Sequence, residues 1–145
     1  MEQIDTLQIN TDGGSRGNPG PSAVGVYATT NNTEVFTISE YIGLTTNNEA
    51  EYKAVIFALQ YLRENSIKAQ KVLFVLDSEL IVKQITGLYK VKQPHLQNLK
   101  SSVLSLISEL KESNKVNDVQ FVHVLREKNK EADKLVNKAL DSLPT

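Results

Sequence analysis

Cysteine and tryptophan are both absent from this sequence of 145 residues. The absence of cysteine excludes disulfides, thiolate metal sites and a cysteine nucleophile, and it suits a reducing compartment. No apolar run approaches the length of a membrane span. Residues 1–5 are acidic and polar, unlike a secretory signal peptide. We therefore expect a cytoplasmic protein that has no membrane segment.

An excess of charge of either sign is also missing, since the formal net charge is −1. Proteins that bind nucleic acid without sequence preference often carry a basic excess, so this balance argues against a general duplex binder. It is compatible with an enzyme that meets its substrate through a local patch and metal ions. Repeats and linkers are absent as well, and the length fits one domain. We predict a single monomeric domain over residues 1–145.

Hydrophobic periodicity predicts five strands and four helices. The predicted strands are 7–11, 23–29, 34–42, 71–76 and 119–125, and the predicted helices are 46–64, 79–86, 95–112 and 130–143. Asn31 and Asn32 predict a hairpin turn between the second and third strands. The order βββ-α-β-α-α-β-α predicts an α/β fold. Its five-stranded mixed sheet has three antiparallel strands followed by parallel strands, with helices on both faces.

Two carboxylates follow predicted strands directly. Asp12 precedes a glycine-rich stretch, residues 13–20, which we interpret as a tight turn that lets a bulky ligand approach. Asp77 ends the apolar strand 71–76. In open α/β sheets, ligands bind beyond the carboxyl ends of strands. The alternative for each residue is a turn former or a helix N-cap, because aspartate is common in both places.

Two further carboxylates lie on or beside apolar helix stripes. Glu51 points in the same direction as the stripe of its helix, whereas Glu49 points to the solvated side. A carboxylate directed at the core needs hydrogen bonds, a cation or a raised pKa. Asp133 lies at the edge of the stripe of the last helix, with Glu131 and Asp141 as alternatives by charge alone.

If these four carboxylates converge, they repel one another by roughly 4 kcal/mol per pair at 4 Å and intermediate dielectric. Hard divalent cations relieve that repulsion, and all-oxygen sites suit Mg²⁺ or Mn²⁺. Two such ions are a common means of cutting phosphodiesters. Neutral hydrogen-bonding side chains are available from Ser15, Asn18, Thr46, Asn47 and Asn48. The residues alone thus indicate metal-dependent phosphoryl chemistry.

Four motifs, in order and spacing, resemble those of type 1 ribonuclease H. They are Asp12-Gly13-Gly14-Ser15-Arg16-Gly17-Asn18-Pro19-Gly20, Thr46-Asn47-Asn48-Glu49-Ala50-Glu51, Asp77-Ser78 and Asn129-Lys130-Glu131-Ala132-Asp133. The resemblance implies that Asp12, Glu51, Asp77 and Asp133 are the catalytic metal ligands. It implies two Mg²⁺ ions, with Mn²⁺ as a substitute, and a water activated by one of them. The RNA strand of an RNA–DNA hybrid would be cut to leave 3′-hydroxyl and 5′-phosphate ends.

The same resemblance implies the substrate contacts. Asn47 and Asn48 match minor-groove contacts, and Thr46 matches a contact to a phosphate of the DNA strand. Gly14 and Ser15 match contacts near the RNA, and Asn18 is expected to contribute similarly. Such contacts read the shape, phosphates and 2′-hydroxyls of the hybrid more than its base sequence.

The chain departs from many members of the family at two places. The loop before Asp133 contains no histidine, and His123 falls inside a predicted strand, where a packed or edge position is expected. The loop resembles the archaeal-like branch, and we expect Arg126 to take over part of the missing function. Some relatives in that branch also cut double-stranded RNA.

The second departure is a short segment, residues 88–94, where some relatives carry a basic protrusion that bears tryptophan. Lys83, Lys90 and Lys92 form only a modest basic patch there. We therefore expect substrate binding that is weak and sensitive to salt.

Three other classes of protein were weighed. Transposases and integrases share the architecture but need further DNA-binding regions. A binding module without catalysis gains nothing from four repelling carboxylates that face a phosphate backbone. A nucleotide-binding domain would need a Gly-Lys-Ser/Thr motif and a helix after the glycine loop, and this sequence offers neither. The sequence favours a nuclease over all three.

Overall fold

The computed structural model of this protein describes residues 3–144, and these form one mixed sheet in the strand order β3-β2-β1-β4-β5. The strands are β1 (Ile4–Ser15), β2 (Gly20–Thr30), β3 (Thr33–Thr45), β4 (Ala69–Leu76) and β5 (Val116–His123). The pairs β1–β2 and β2–β3 are antiparallel, and the pairs β1–β4 and β4–β5 are parallel. The predicted fold class is confirmed. Residues 1 and 2, part of the predicted non-signal N-terminus, lie outside the described residues.

Four helices connect and cover the strands in the predicted order. They are α1 (Asn47–Glu64), α2 (Glu79–Ile85), α3 (Pro94–Glu112) and α4 (Lys130–Asp141). Thr46 caps α1 by accepting a hydrogen bond from the Glu49 backbone N–H at 3.3 Å. Within residues 3–144, no helix combines the length and the apolar character that a membrane span requires.

Hydrophobic cores lie on both faces of the sheet. Leu7 and Ile9 of β1 belong to the larger core, which they share with side chains of α1, α2 and α3. On the other face, Ala23 of β2 contacts the apolar side of α4, including Val136 and Leu140. Because α1 packs on one face of the sheet and α4 on the other, the carboxyl end of β1 lies between these two helices.

The glycine-rich stretch differs from the prediction. β1 does not end at Thr11, because Gly13 and Gly14 continue its ladder opposite Val24 and Ala23 of β2. The turn is confined to residues 16–19. Gly13 is required here for another reason: a Cβ at this position would lie 2.2 Å from the backbone carbonyl of Ala50 in α1. The glycines therefore allow a helix to approach the sheet closely.

Other boundaries also shift. The fifth strand was predicted over residues 119–125, but β5 covers Val116–His123. Its register against β4 begins at Val116 opposite Ala69, so pairing with an inner strand decides where it starts. The Val124 N–H still donates to the Leu76 carbonyl at 2.9 Å. A short 3₁₀ turn, Arg126–Lys128, follows where the prediction continued the strand to Leu125 and then a loop.

Candidate active site

Three carboxylates from three different elements meet at one end of the sheet. Asp12 lies in β1, Glu51 in α1, and Asp77 directly after β4. One ligand oxygen from each lies within 4.8 Å of the others, a spacing that could hold a metal ion. All three line one cavity of about 420 Å³, together with Asp133 and Arg126. The structure thus brings together all five residues that the sequence marks as catalytic.

The position of Asp12 follows from the pleat of β1. Leu7 and Ile9 point into the larger core, so the alternate positions, including Asn10 and Asp12, face the side of α4. Asp12 lies inside the strand, opposite Gly25 of β2, and is only 9% exposed. β1 pairs with β4 as far as Asn10 and with β2 through Asp12 and beyond, so the carboxylate projects from the end of an inner strand.

Glu51 enters the site from the first turns of α1. Its side chain is 7% exposed, and its Oε1 atom accepts a hydrogen bond from the Gly13 backbone N–H at 2.6 Å. Its Oε2 atom is buried and has no hydrogen-bond partner among the described residues. A buried carboxylate oxygen without a partner is strongly disfavoured. The site therefore offers a buried carboxylate oxygen without a partner to a cation.

Burial and mutual repulsion raise the pKa values of these carboxyl groups. The pKa of Asp12 is raised from 3.8 to about 7, first by burial and then by the charges of Asp77 and Asp133. Burial, with the charge of Asp12, raises the pKa of Glu51 well above its ordinary value. The pKa of Asp77 is raised mainly by burial, although Arg126 opposes that shift. Without a cation, the site favours bound protons at neutral pH.

Asp133 stands at the margin of the cluster. It lies in the first turn of α4, and its side chain is 34% exposed. Its Oδ1 atom is 3.9 Å from the Arg126 guanidinium, which is itself 82% exposed. Its charge contributes to the raised pKa values of Asp12 and Asp77. Asp133 therefore acts on the cluster electrostatically, from a more solvated position.

The donor set fits hard divalent cations. All the candidate ligands are carboxylate oxygens, and the described residues of the cavity include neither histidine nor cysteine. Mg²⁺ and Mn²⁺ prefer such oxygen ligands. The unpartnered Glu51 oxygen and the raised carboxyl pKa values would both be relieved by positive charge. Asp12, Glu51 and Asp77 are the residues placed to hold a metal, with Asp133 beside them.

Neutral polar groups join the turn after β1 to the start of α1. The Ser15 backbone N–H donates to the Asn47 side-chain oxygen at 2.9 Å, and the Asn47 N–H donates to the Asn18 side-chain oxygen at 3.0 Å. Asn48 and Gly14 line the cavity. Five of the six predicted substrate contacts thus surround the carboxylates or brace one another. The hydroxyl of the sixth, Thr46, is already used in capping α1.

At the start of α1, only the Thr46 half of a capping box is formed. The Glu49 carboxylate accepts a hydrogen bond from the Thr45 hydroxyl and lies 3.3 Å from His95 Nε2. The other histidine, His123, ends the edge strand β5 and lies 3.7 Å from Glu79. Neither histidine lines the cavity that holds Asp133, whereas Arg126 does.

The lysines of the short segment line a second cavity. This cavity has a volume of about 610 Å³, and its lining includes Lys90, Lys92, Lys100 and Tyr89. Lys83 does not join them, because it pairs with Glu79 at 3.2 Å and lies near the Tyr89 ring. The basic patch is therefore small, as the sequence predicts.

Asn129 was not singled out by the sequence as a site residue. It is 1% exposed and donates a hydrogen bond to the Thr11 carbonyl at 2.9 Å. Its side-chain oxygen accepts from the Asn10 side chain at 2.9 Å. The motif that contains Asp133 begins at Asn129, but asparagine before a helix is ordinarily an N-cap. Only the tertiary structure reveals that its side chain turns inward to the sheet.

Comparisons with known proteins agree with this geometry. A family profile described as "Reverse transcriptase-like" matches residues 10–139. Bifunctional protein Rv2228c of Mycobacterium tuberculosis is 36% identical over 138 residues, which are 92% of this chain and 35% of that protein. Ribonuclease HI of Halobacterium salinarum is 37% identical over 134 residues, 90% of this chain and 62% of that protein. The chain therefore spans well under the full length of both relatives.

A solved structure covers nearly all of both chains. LC11-RNase H1, isolated from compost, is 42% identical with a TM-score of 0.84, over 95% of this chain and 97% of that one. The same protein in complex with an RNA/DNA hybrid aligns with a TM-score of 0.81 and 44% identity, over 93% of this chain and 96% of that one. The likeness thus extends over the whole sheet and its helices.

Proposed function

This chain belongs to the type 1 ribonuclease H family, and we propose that it is an endonuclease that hydrolyses the RNA strand of RNA–DNA hybrids with divalent metal ions. The observation that carries the proposal is the cluster of Asp12, Glu51 and Asp77, whose ligand atoms lie within 4.8 Å of one another in a polar cavity. The solved complex of LC11-RNase H1 with an RNA/DNA hybrid supports the choice of substrate.

We propose that the metal is Mg²⁺, with two ions per site, and that Mn²⁺ can substitute for it. Asp12, Glu51 and Asp77 would hold the ions, and Asp133 would complete the site from the margin. When bound, such ions would make an attacking water more acidic and neutralise charge at the scissile phosphate. The unpartnered oxygen of Glu51 supports this assignment, because it is buried and anionic once the proton leaves.

The remaining site residues would orient the hybrid and stabilise negative charge at the site. Gly14 and Asn48 line the cavity where a backbone strand would pass the carboxylates. Asn47 is held in place by bonds to Ser15 and Asn18, so its amide is oriented before the substrate arrives. Arg126 would stabilise negative charge beside Asp133, where its guanidinium already lies 3.9 Å away.

Substrate choice tests the proposal. The protein should be incubated with Mg²⁺ and end-labelled RNA–DNA hybrid, single-stranded RNA, duplex DNA and double-stranded RNA of one sequence. We expect cleavage of the RNA within the hybrid and none of duplex DNA. Equal cleavage of single-stranded RNA would contradict recognition of the hybrid. The double-stranded RNA arm tests the second activity that the family resemblance implies.

We further propose that residues 1–145 act as one monomeric domain in the cytoplasm. Both hydrophobic cores pack against the same sheet, which supports one domain. The cysteine-free sequence supports a reducing compartment. Light scattering after size exclusion should give the mass of one 16.1 kDa chain, and twice that mass would refute the monomer.

A further inference from the structure

A buried pair of side-chain amides lies directly beneath the carboxylate cluster. Asn10 is 7% exposed and Asn129 is 1% exposed, although residues 128 and 130 on either side of Asn129 are exposed. The Asn10 Nδ2 group donates to Asn129 Oδ1 at 2.9 Å, and Asn129 Nδ2 donates to the Thr11 carbonyl at 2.9 Å. Gln8 extends the chain by donating to Asn10 Oδ1 at 2.9 Å.

The location of Asn10 makes this pair unusual. Asn10 lies in a central strand, two residues before Asp12 and on the same face, where an apolar side chain would ordinarily pack. Burying an amide is unfavourable unless it is hydrogen-bonded, and a bonded pair contributes only about 1 kcal/mol net. An apolar pair would serve stability equally well. The amides therefore have another role than stability. Hydrogen bonds are directional, so they fix the position of Asn129, at the start of α4, relative to β1.

Asn129 joins the elements that carry three of the five proposed catalytic side chains. Its side chain bonds to β1 at Thr11, immediately before Asp12. Its backbone N–H donates to the Arg126 carbonyl at 3.0 Å, which closes the 3₁₀ turn. Its carbonyl accepts from the Asp133 N–H at 3.2 Å, in the first turn of α4.

We infer that Asn129, held by Asn10, is a positioning residue that sets where Asp133 and Arg126 stand relative to Asp12. This inference rests on the proposed nuclease function and adds to it the interaction that aligns α4 with β1. Asn129 does not act on the substrate itself. Its removal should disturb metal binding and turnover while leaving the affinity for the hybrid largely unchanged.

The test compares Asn129→Ala, Asn10→Ala and the double variant with the natural protein. For Asn129→Ala we expect kcat to fall about tenfold or more, as for residues that orient metal ligands. KM for the hybrid should stay within about twofold, because substrate contacts are retained. Asn10→Ala should change the same quantities by less. The double variant should be no worse than Asn129→Ala, since the two amides act as a unit.

A readout without catalysis separates this inference from the proposed function. Mn²⁺ alone should raise the unfolding temperature of the natural protein, and the Mn²⁺ concentration for half that rise should be about tenfold higher in Asn129→Ala. This measurement remains informative if the protein cuts no hybrid, a result that would overturn the proposed function alone. If Asn129→Ala does not fold, Asn10→Ala decides, because it leaves residue 129 intact.

Asn117→Ala is the matched control. Asn117 donates its side-chain amide to the Gln70 side chain at 2.8 Å, and it lies in β5 near the opposite end of the sheet. Its removal should leave kcat and Mn²⁺ dependence unchanged. Unaltered kcat and Mn²⁺ dependence in both Asn10→Ala and Asn129→Ala would overturn the inference. So would a loss of activity that is fully restored by cooling below the lowered unfolding temperature.

Discussion

At Asp12, burial and two neighbouring carboxylates act on one side chain. Together they raise its pKa from 3.8 to about 7. Glu51 is affected in the same direction, with burial as the main cause. The folded protein without metal therefore binds protons that the unfolded chain releases, and the site is under electrostatic strain when it is ionised.

This strain predicts how stability depends on pH. Because the folded-state pKa of Asp12 is raised, ionised Asp12 destabilises the metal-free protein above pH 7, and that destabilisation is relieved as pH falls toward 4. We expect the free energy of unfolding in EDTA to rise by roughly 2 kcal/mol between pH 8 and pH 5. Urea denaturation measures it. Asp12→Asn should flatten this dependence, whereas Asp5→Asn, an exposed residue of the same strand, should not.

Arg126 provides a second prediction at the residue scale. Its guanidinium is mostly exposed and faces Asp133, so truncation should barely affect folding. We expect Arg126→Ala to lower kcat about tenfold under saturating Mg²⁺ and hybrid, with Arg126→Lys intermediate because the charge is kept but the planar fork is lost. Single-turnover cleavage measures the effect. Unchanged turnover and metal dependence in Arg126→Ala would remove this residue from the mechanism.

At the scale of elements, two close approaches between helices and the sheet assemble the site. Gly13 admits the backbone of α1 at Ala50, next to Glu51. Gly25 admits α4, because a Cβ there would lie 2.2 Å from the Ala132 carbonyl, next to Asp133. The glycines in β1 and β2 thus determine how near the helices, and with them two carboxylates, come to Asp12.

Gly25→Ala tests this role of close packing. The added methyl must displace backbone, so we expect a loss of about 3 kcal/mol in the free energy of unfolding. Activity should fall even well below the unfolding temperature, because α4 and Asp133 move away from the sheet. Thr29→Ala, at the less buried end of the same strand, should change neither quantity appreciably. Full activity in a folded Gly25→Ala protein would contradict this role for the approach of α4.

The sequence predicts elements best where the pattern is local. The periodicity of α1 places Glu51 among inward-facing residues, and the structure has it 7% exposed. The apolar run before Asp77 predicts an inner strand, and β4 is paired on both sides. The pattern fails in the glycine stretch, because local turn preference was outweighed by pairing with β2. The inward turn of Asn129 depends on a partner 119 positions earlier, which no local pattern contains.

At the scale of the whole molecule, the charge balance bears on substrate affinity. The net charge is −1, and the cavity lined by Lys90, Lys92 and Lys100 is the modest basic surface near the start of α3. The active-site cavity, in contrast, is lined by four carboxylates and one basic side chain, that of Arg126. We therefore expect a hybrid to bind through few phosphate contacts, with metal ions compensating for the acidic site.

Salt dependence tests this view of binding. With catalytically disabled Asp12→Asn protein, we expect the affinity for a hybrid to fall roughly tenfold between 50 and 200 mM salt. Lys92→Ala should weaken binding. It should also reduce the slope of log affinity against log salt concentration by about one, which corresponds to one lost phosphate contact. Lys68→Ala, an exposed residue just before β4, serves as the control. An affinity that stays flat across the titration would show that phosphate contacts do not govern binding.

The central claim, that the clustered carboxylates form a metal-dependent hybrid nuclease, is tested most directly by cleavage of one labelled RNA–DNA hybrid. With Mg²⁺ the natural protein should cut the RNA strand and leave 5′-phosphate and 3′-hydroxyl ends. EDTA should stop the cutting, and Asp12→Asn should lower it about a thousandfold or more, as expected when a metal ligand and its charge are lost. Cutting that persists in EDTA, or at the natural rate in Asp12→Asn, would contradict the account.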